Sequence, residues 1–234
     1  LEPFSIKAEA AIWLDLVVPD DRKVVLTAIE NGRHGPQTRH ELEYRLQWPN
    51  GEVHTLSCIF HVTFDVDGKA IRLTGVQLDI TERKLSEERI LHMATHDGLT
   101  GLANRVLLSD RLQQAIAVAQ RDPRMIALLF IDLDHFKQIN DTLGHSMGDE
   151  LLKHVGEKIS MLMRQSDTLA RIGGDEFIVL LPSIRWQGES IAVAQKIIAA
   201  LDEEIVIDGV SFNISPSIGI SIYPSDGADA ESLL

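Results

Sequence analysis

Two short segments of this sequence combine carboxylates, glycines and a lysine in a pattern suited to handling phosphate. In Arg171-Ile172-Gly173-Gly174-Asp175-Glu176-Phe177, two adjacent glycines separate apolar runs at 168–172 and 177–181. Glycine admits positive φ at both centres of a tight hairpin and lets a ligand approach the backbone closely. Taken alone, a Gly-Gly-Asp reads first as a hairpin turn with solvated acids. In Phe130-Ile131-Asp132-Leu133-Asp134-His135-Phe136-Lys137, a buried strand ends in acids directly before a helix. Asp134 reads as the N-cap of that helix. Asp132 sits in a run of large apolar residues, where an ionised carboxylate is costly unless it is paired or bound to a cation. If the strand ending at Asp132 lies beside the hairpin carrying Asp175, the two carboxylates converge at one sheet edge, as hard, oxygen-seeking Mg²⁺ requires. With Lys137 and a glycine turn nearby, such a metal site suits phosphoryl transfer.

These residues need a scaffold, and the pattern of the chain predicts two. Residues 40–48, 53–64 and 70–80 are rich in β-branched and aromatic residues and are separated by Pro49-Asn50-Gly51 and by residues 65–69, which predicts a three-stranded antiparallel meander. A polar stretch containing Trp13 and a short helix over 21–30 precede it. A charged helix follows from Thr81, with Thr81 as its N-cap, and stops at His96-Asp97-Gly98, which sets a domain boundary near residue 95. Beyond it the pattern predicts a helix over 105–121, a buried strand over 126–131, a long helical region over 136–164 and a hairpin over 168–181. A helix over 189–201 and strands near 204–207 and 212–223 complete it. From the buried strand onward the order is β-α-β-β-α-β, the ferredoxin-like arrangement of an α+β fold.

Composition narrows the function classes. With 44% hydrophobic residues in a chain of 234, disorder is excluded and one large or two modest cores can form. The longest apolar run, 125–131, is far short of the roughly 20 residues of a membrane span, so the chain is expected to be a soluble, cytoplasmic segment. The single cysteine, Cys58, reads as a small buried hydrophobe. A formal net charge of −13 argues against nucleic acid as a partner but leaves room for a small anionic substrate with a divalent metal.

At this point five ordered segments carry a resemblance: 97–105 (Asp-Gly-Leu-Thr-Gly-Leu-Ala-Asn-Arg), 132–140, Gly144-His145 through Gly148-Asp149, 173–177, and Ser217-Ile218-Gly219-Ile220-Ser221. From about His96 to the end, the chain resembles a GGDEF diguanylate cyclase domain, with the palm-type nucleotidyl cyclase fold. The resemblance implies that Asp132, the Leu133 carbonyl and Asp175 ligate Mg²⁺ or Mn²⁺. It also implies that Asp175 and Glu176 are the catalytic carboxylates, Glu176 helping to position metal or acting as base. Backbone amides at His135 and Phe136, with Lys137 and the Gly173-Gly174 turn, would lie against the triphosphate. Asn140 and Asp149 would read guanine. Arg164 and Asp167 resemble the inhibitory site for the product, cyclic di-GMP. Family members continue past the Ser-Ile-Gly strand into a helix with phosphate-contacting Lys and Arg, so the C-terminal end of the domain is expected to be missing here. A downstream EAL phosphodiesterase domain is an expected companion.

Residues 13–22, the Asn50-Gly51 hairpin and Asp79-Ile80-Thr81-Glu82-Arg83 resemble the second half of a PAS domain. The implied organisation is a partial PAS domain over 1–80, a connector helix over 81–95 and a GGDEF domain over 96–234. His34, His40, His54 and His61 read as surface or strand histidines, and the PAS ligand is left unassigned. The implied reaction condenses two GTP and therefore needs a homodimer. A silent GTP-binding domain governing a phosphodiesterase, or a cyclic di-GMP-binding interaction module, stays as the alternative.

Overall fold

A computed structural model describes residues 14–34, 39–68 and 70–234; Trp13 lies outside the described residues, as does the side chain of His34. By internal contacts the chain divides into two units, Leu1–Ile90 and Leu91–Leu234. Among the described residues no helix is long and apolar enough to cross a membrane.

The first unit opens with α1 (Pro19–His34), whose proline at the first helical position and whose Asp20 and Asp21 in the first turn suit a helix start. It is longer than the 21–30 expected. Strands β1 (Arg39–Gln47), β2 (Val53–Phe64) and β3 (Ala70–Asp79) form the expected antiparallel meander. Alternate residues point to one face, so Tyr44, Leu46, Leu56, Cys58, Phe60 and Val62 meet Val17 and Val25 in one core. Asp21 fixes α1 to the sheet, accepting from the Arg45 backbone amide and both ends of its guanidinium at 2.8–2.9 Å. His54 is tied to Asp79 at 2.7 Å and stacks on Trp48.

Helix α2 (Thr81–Thr95) follows, with no buried residue. Thr81 is its first residue, not its cap. The Asp79 carboxylate accepts the Thr81 amide (2.9 Å) and hydroxyl (2.6 Å), while the Thr81 oxygen accepts from the Thr55 amide (2.8 Å). The strand end therefore supplies the capping oxygen.

The second unit contains α3 (Arg105–Ala119), β4 (Met125–Leu133), α4 (Phe136–Leu143), α5 (His145–Ser160), β5 (Thr168–Gly173), β6 (Glu176–Ile184), α6 (Gly188–Asp202), β7 (Ile205–Ile207), β8 (Val210–Phe212), β9 (Pro216–Tyr223) and α7 (Ala230–Leu233). The main sheet runs β5-β6-β4-β9, all pairs antiparallel, which is the ferredoxin-like order expected. Central β4 is apolar on both faces because both are covered. Ala127, Leu129, Ile131 and Leu133 join Leu151, Leu152, Val155 and Ile159 of α5 and Ile197 and Leu201 of α6. Ile126 and Leu128 face Leu108, Leu112 and Ile116 of α3 on the other side. The helical region expected over 136–164 is two helices. Gly144, at φ 87°, breaks it, a conformation that glycine alone adopts without strain, and the second helix ends at Ser160.

Candidate active site

The C-terminal end of β4 is where the carboxylates gather. Asp132 is the register partner of Glu176 on β6 and of Ser217 on β9, so these three side chains lie on one face of the sheet end. Asp132 is exposed between the buried Ile131 and Leu133, whose side chains point to the opposite face. Residual desolvation, then the negative charges of Asp175 and Asp134, push its carboxyl above the ordinary carboxylate range. That is the signature of a site short of positive charge.

Asp134 does not cap α4. Its carboxylate accepts hydroxyls from Ser215 and Ser217, both at 2.8 Å, and its amide donates to the Ser215 carbonyl. The two hydroxyls hold its carboxyl below the usual range. It staples the β4–α4 turn to the start of β9. The cap position falls to His135, in the left-handed region at φ 63° and without a side-chain capping bond, so no side chain of its own occupies the amides that open α4. Phe136 is buried, whereas Lys137 is exposed beside that turn.

The glycine hairpin is as tight as the sequence suggests but is centred one residue later. Gly173 pairs with Glu176, leaving Gly174 and Asp175 as its two central residues. Gly174 takes φ 54°, but Asp175 does not take positive φ; Gly173 sits instead at the end of β5, at φ 152°. The register shifts between Arg171 and Gly173, a bulge that re-aims the turn. A cleft of about 420 Å³ lies beside it, bordered by Asp132, Glu176, Phe130, Arg105 and Gly219. A cavity of about 840 Å³ lies at the opposite end of the sheet around Arg124, Arg185 and Tyr223, and it is lined by none of these carboxylates.

Two residues that the sequence reading left without a role hold this turn. The Arg171 guanidinium donates to the Gly174 carbonyl through Nε (3.0 Å) and Nη2 (2.8 Å), and through Nη1 to Asp97 Oδ1 (2.8 Å). Asp97 Oδ1 also accepts the amide and hydroxyl of Thr100. Burial alone would push the Asp97 carboxyl up, but the Thr100 and Arg171 hydrogen bonds hold it below the ordinary range. Backbone bonds from Arg171 to the Ala103 carbonyl and from Asn104 to the Thr95 carbonyl extend the same tether. The available signal was an arginine two residues before a glycine turn; only the fold could supply its partner.

Asn140 and Asp149 come from facing helices. Asn140 is in the last turn of α4, Asp149 in the first turns of α5, with Gly144 reversing the chain between them. Arg164 and Asp167 lie in the turn before β5, at the far end of that strand from Gly173. Asp167 accepts the Arg164 amide at 2.9 Å, which closes the turn, and the Arg164 side chain is exposed. A cavity of about 440 Å³ bordered by Arg111, Arg124, Gln165, Ser166 and Thr168 adjoins it.

The donor set suits a hard cation. Among the described residues no three His, Cys, Asp or Glu form a cage. Two carboxylates and a backbone carbonyl are what Mg²⁺ takes when substrate phosphates and water complete its shell. The unneutralised charge around Asp132 fits such an ion.

Comparison with known proteins identifies the family. The family described as diguanylate cyclase, GGDEF domain, matches residues 94–234, and the PAS fold matches residues 1–77. The bifunctional diguanylate cyclase/cyclic di-GMP phosphodiesterase MucR of Pseudomonas aeruginosa is 44% identical over 149 residues, covering 64% of this chain and 22% of that protein. Diguanylate cyclase TpbB of the same organism is 38% identical over 161 residues, 68% of this chain and 37% of that protein. The chain thus spans well under half the length of these curated relatives. A crystal structure of a sensory box/GGDEF family protein from Caulobacter crescentus superposes with a TM-score of 0.57 at 40% identity, over 59% of this chain and 90% of that one. The chain therefore belongs to the GGDEF, or diguanylate cyclase, family, with a PAS fold preceding its GGDEF domain in the sequence.

Proposed function

We propose that the second unit is a diguanylate cyclase that condenses two GTP into cyclic di-GMP and two pyrophosphates. The observation that carries this reading is the register of Asp132 against Glu176 with Asp175 in the adjoining turn, an unneutralised carboxylate cluster beside a glycine hairpin. Mg²⁺ or Mn²⁺ held by Asp132, Asp175 and the Leu133 carbonyl would neutralise phosphate charge. The chain's own groups do the rest. The opening amides of α4 at His135 and Phe136, with Lys137, cradle the triphosphate. Gly173 and Gly174 let it approach the hairpin backbone, and Asn140 and Asp149 read the base. Glu176 takes the proton of the 3′-hydroxyl as that oxygen bonds to the α-phosphorus, the α–β anhydride bond breaks, and pyrophosphate leaves.

Because each domain holds one GTP, two copies must face each other, and the reaction repeats with the roles exchanged. The PAS fold and α2 would set that encounter in a homodimer, so a PAS ligand favouring one arrangement would switch the rate. GTP supply places the reaction in the cytoplasm. Arg164, with its exposed guanidinium, and Asp167 would bind cyclic di-GMP away from the catalytic turn and hold two active sites apart.

A second reading, a GTP-binding domain that governs a phosphodiesterase elsewhere in a longer chain, has one observation in its favour: MucR, similar to this chain, also bears the phosphodiesterase name. Incubation of the protein with GTP and Mg²⁺, with product identification by mass spectrometry, separates the two. Cyclic di-GMP formation that vanishes in Asp175→Ala supports the cyclase. GTP binding without product in the dimeric protein supports the second reading.

A further inference from the structure

We propose that Gly148 is a specificity-determining position, whose lack of a side chain lets the Asn140 carboxamide take the pose that reads the base. The inference rests on the GTP reading above and extends it to a residue that has no side chain to touch a ligand.

Gly148 lies inside α5 and is buried. It does not belong to the positive-φ glycines, so backbone freedom does not explain it. A glycine inside a helix costs stability relative to alanine, which leaves a steric reason for its presence. A β-carbon built there would sit 1.9 Å from Asn140 Oδ1, 3.0 Å from Asn140 Cγ and 3.2 Å from Phe136 Cζ. The carboxamide therefore occupies the space of the missing methyl group. The Phe136 ring needs to give by only a few tenths of an ångström. Asn140, the tip of a short side chain, is the group that must move. The α4–Gly144–α5 reversal fixes the encounter: the Gly144 amide bonds the Asn140 carbonyl at 2.9 Å and the Gly148 amide returns to the Gly144 carbonyl at 3.3 Å. Asp149 follows Gly148 on the same helix, so the carboxamide, donor and acceptor, packs on the turn of α5 that also carries a carboxylate, acceptor only. A guanine edge presents ring N–H and exocyclic amine donors next to a carbonyl acceptor, and an adenine edge does not.

The test is a double-mutant cycle on the full chain, with Gly148→Ala, Asn140→Ala and the pair, reading binding of a non-reactive GTP analogue and of the matching ATP analogue by calorimetry. Gly148→Ala should weaken the GTP analogue about three- to tenfold, the worth of one neutral hydrogen bond, and leave the ATP analogue unchanged. In the Asn140→Ala background the same change should cost nothing further and should raise the melting temperature, because the methyl group then enters vacated space. A merely structural role for Gly148 would instead give equal losses in both backgrounds, or equal losses for both nucleotides, and either result overturns the proposal. Wild-type protein that fails to bind the GTP analogue, or an Asn140→Ala variant that binds it undiminished, would overturn the base-reading role itself.

Discussion

Replacing Arg171 with alanine tests the claim that the catalytic turn is held from outside itself. The change removes both hydrogen bonds to the Gly174 carbonyl and the 2.8 Å bond to Asp97. Each bond to an ionised group is worth about 1.5–3 kcal/mol, but three bonds from one side chain do not add. Asp97 keeps its two Thr100 bonds and its side chain is 20% exposed, so the orphaned charge costs less than the roughly 3–5 kcal/mol of a fully buried pair. A stability loss of about 2–3 kcal/mol follows. For a unit of this size that lowers the melting temperature by about 4–12 °C. The rate should fall further than stability implies, on the order of 100-fold, because an ångström of freedom at Asp175 spoils its alignment. Arg171→Lys is the control: it restores a charge for Asp97 but not the planar fork on Gly174, so melting should recover in part while the rate stays low. The acid limb carries the same signature. The folded carboxyl of Asp97 is held below its unfolded value near 3.9, so its contribution is full above that pH and is lost as pH falls through the folded value. Arg171→Ala should flatten that limb. Thermal melts across pH 2.5–7 and initial rates of cyclic di-GMP formation decide it. An alanine variant that melts and turns over like wild type, or a lysine variant with full rate, would refute the reasoning.

Asp175→Ala or Glu176→Ala should abolish cyclic di-GMP formation with melting nearly unchanged, since Asp175 is only half-buried in the turn and Glu176 is exposed; residual turnover near wild type in the dimeric protein counts against their role. GTP should be strongly preferred over ATP in competition binding, since polar readers left unpaired by the wrong base are costly, and Asn140→Ala or Asp149→Ala should narrow the gap. Arg164→Ala should relieve product inhibition, which is expected to be noncompetitive with GTP. The loss of product affinity should be about 1.5–3 kcal/mol at little cost to the initial rate, read from progress curves with added cyclic di-GMP. Equal inhibition of variant and wild type leaves Arg164 as an ordinary surface charge. Leu129→Ala, in the centre of β4, should cost about 2–5 kcal/mol of stability in a denaturant titration, because both faces of that strand are packed.

The meander of the first unit and the β-α-β-β-α-β order of the second were legible in the sequence, because hydrophobic period and turn residues are local properties. So was the candidate site as a list: Asp132, Asp175 and Glu176 stand out as carboxylates at the ends of apolar runs, where burial would be costly without a purpose. Local signals misjudged what depends on distant partners. Asp134 looks like a helix cap by position, yet Ser215 and Ser217, some eighty residues later, claim its oxygens once β9 pairs with β4. Thr81 looks like a cap as well, but Asp79 does that work because the β2–β3 register brings Thr55 against Thr81. Asp132 looks buried by its neighbours and is exposed because it lies on the face opposite Ile131 and Leu133, where cover already thins at the half-buried Phe130. Arg171 and Asp97 are 74 positions apart, and nothing in either segment announces the other. Sequence determined which residues could do chemistry and which elements would carry them. The register of β4 against β6 and β9, and the single reversal at Gly144, decided which of them meet, since side-chain partners across a sheet or a helix pair are fixed by packing and not by proximity along the chain.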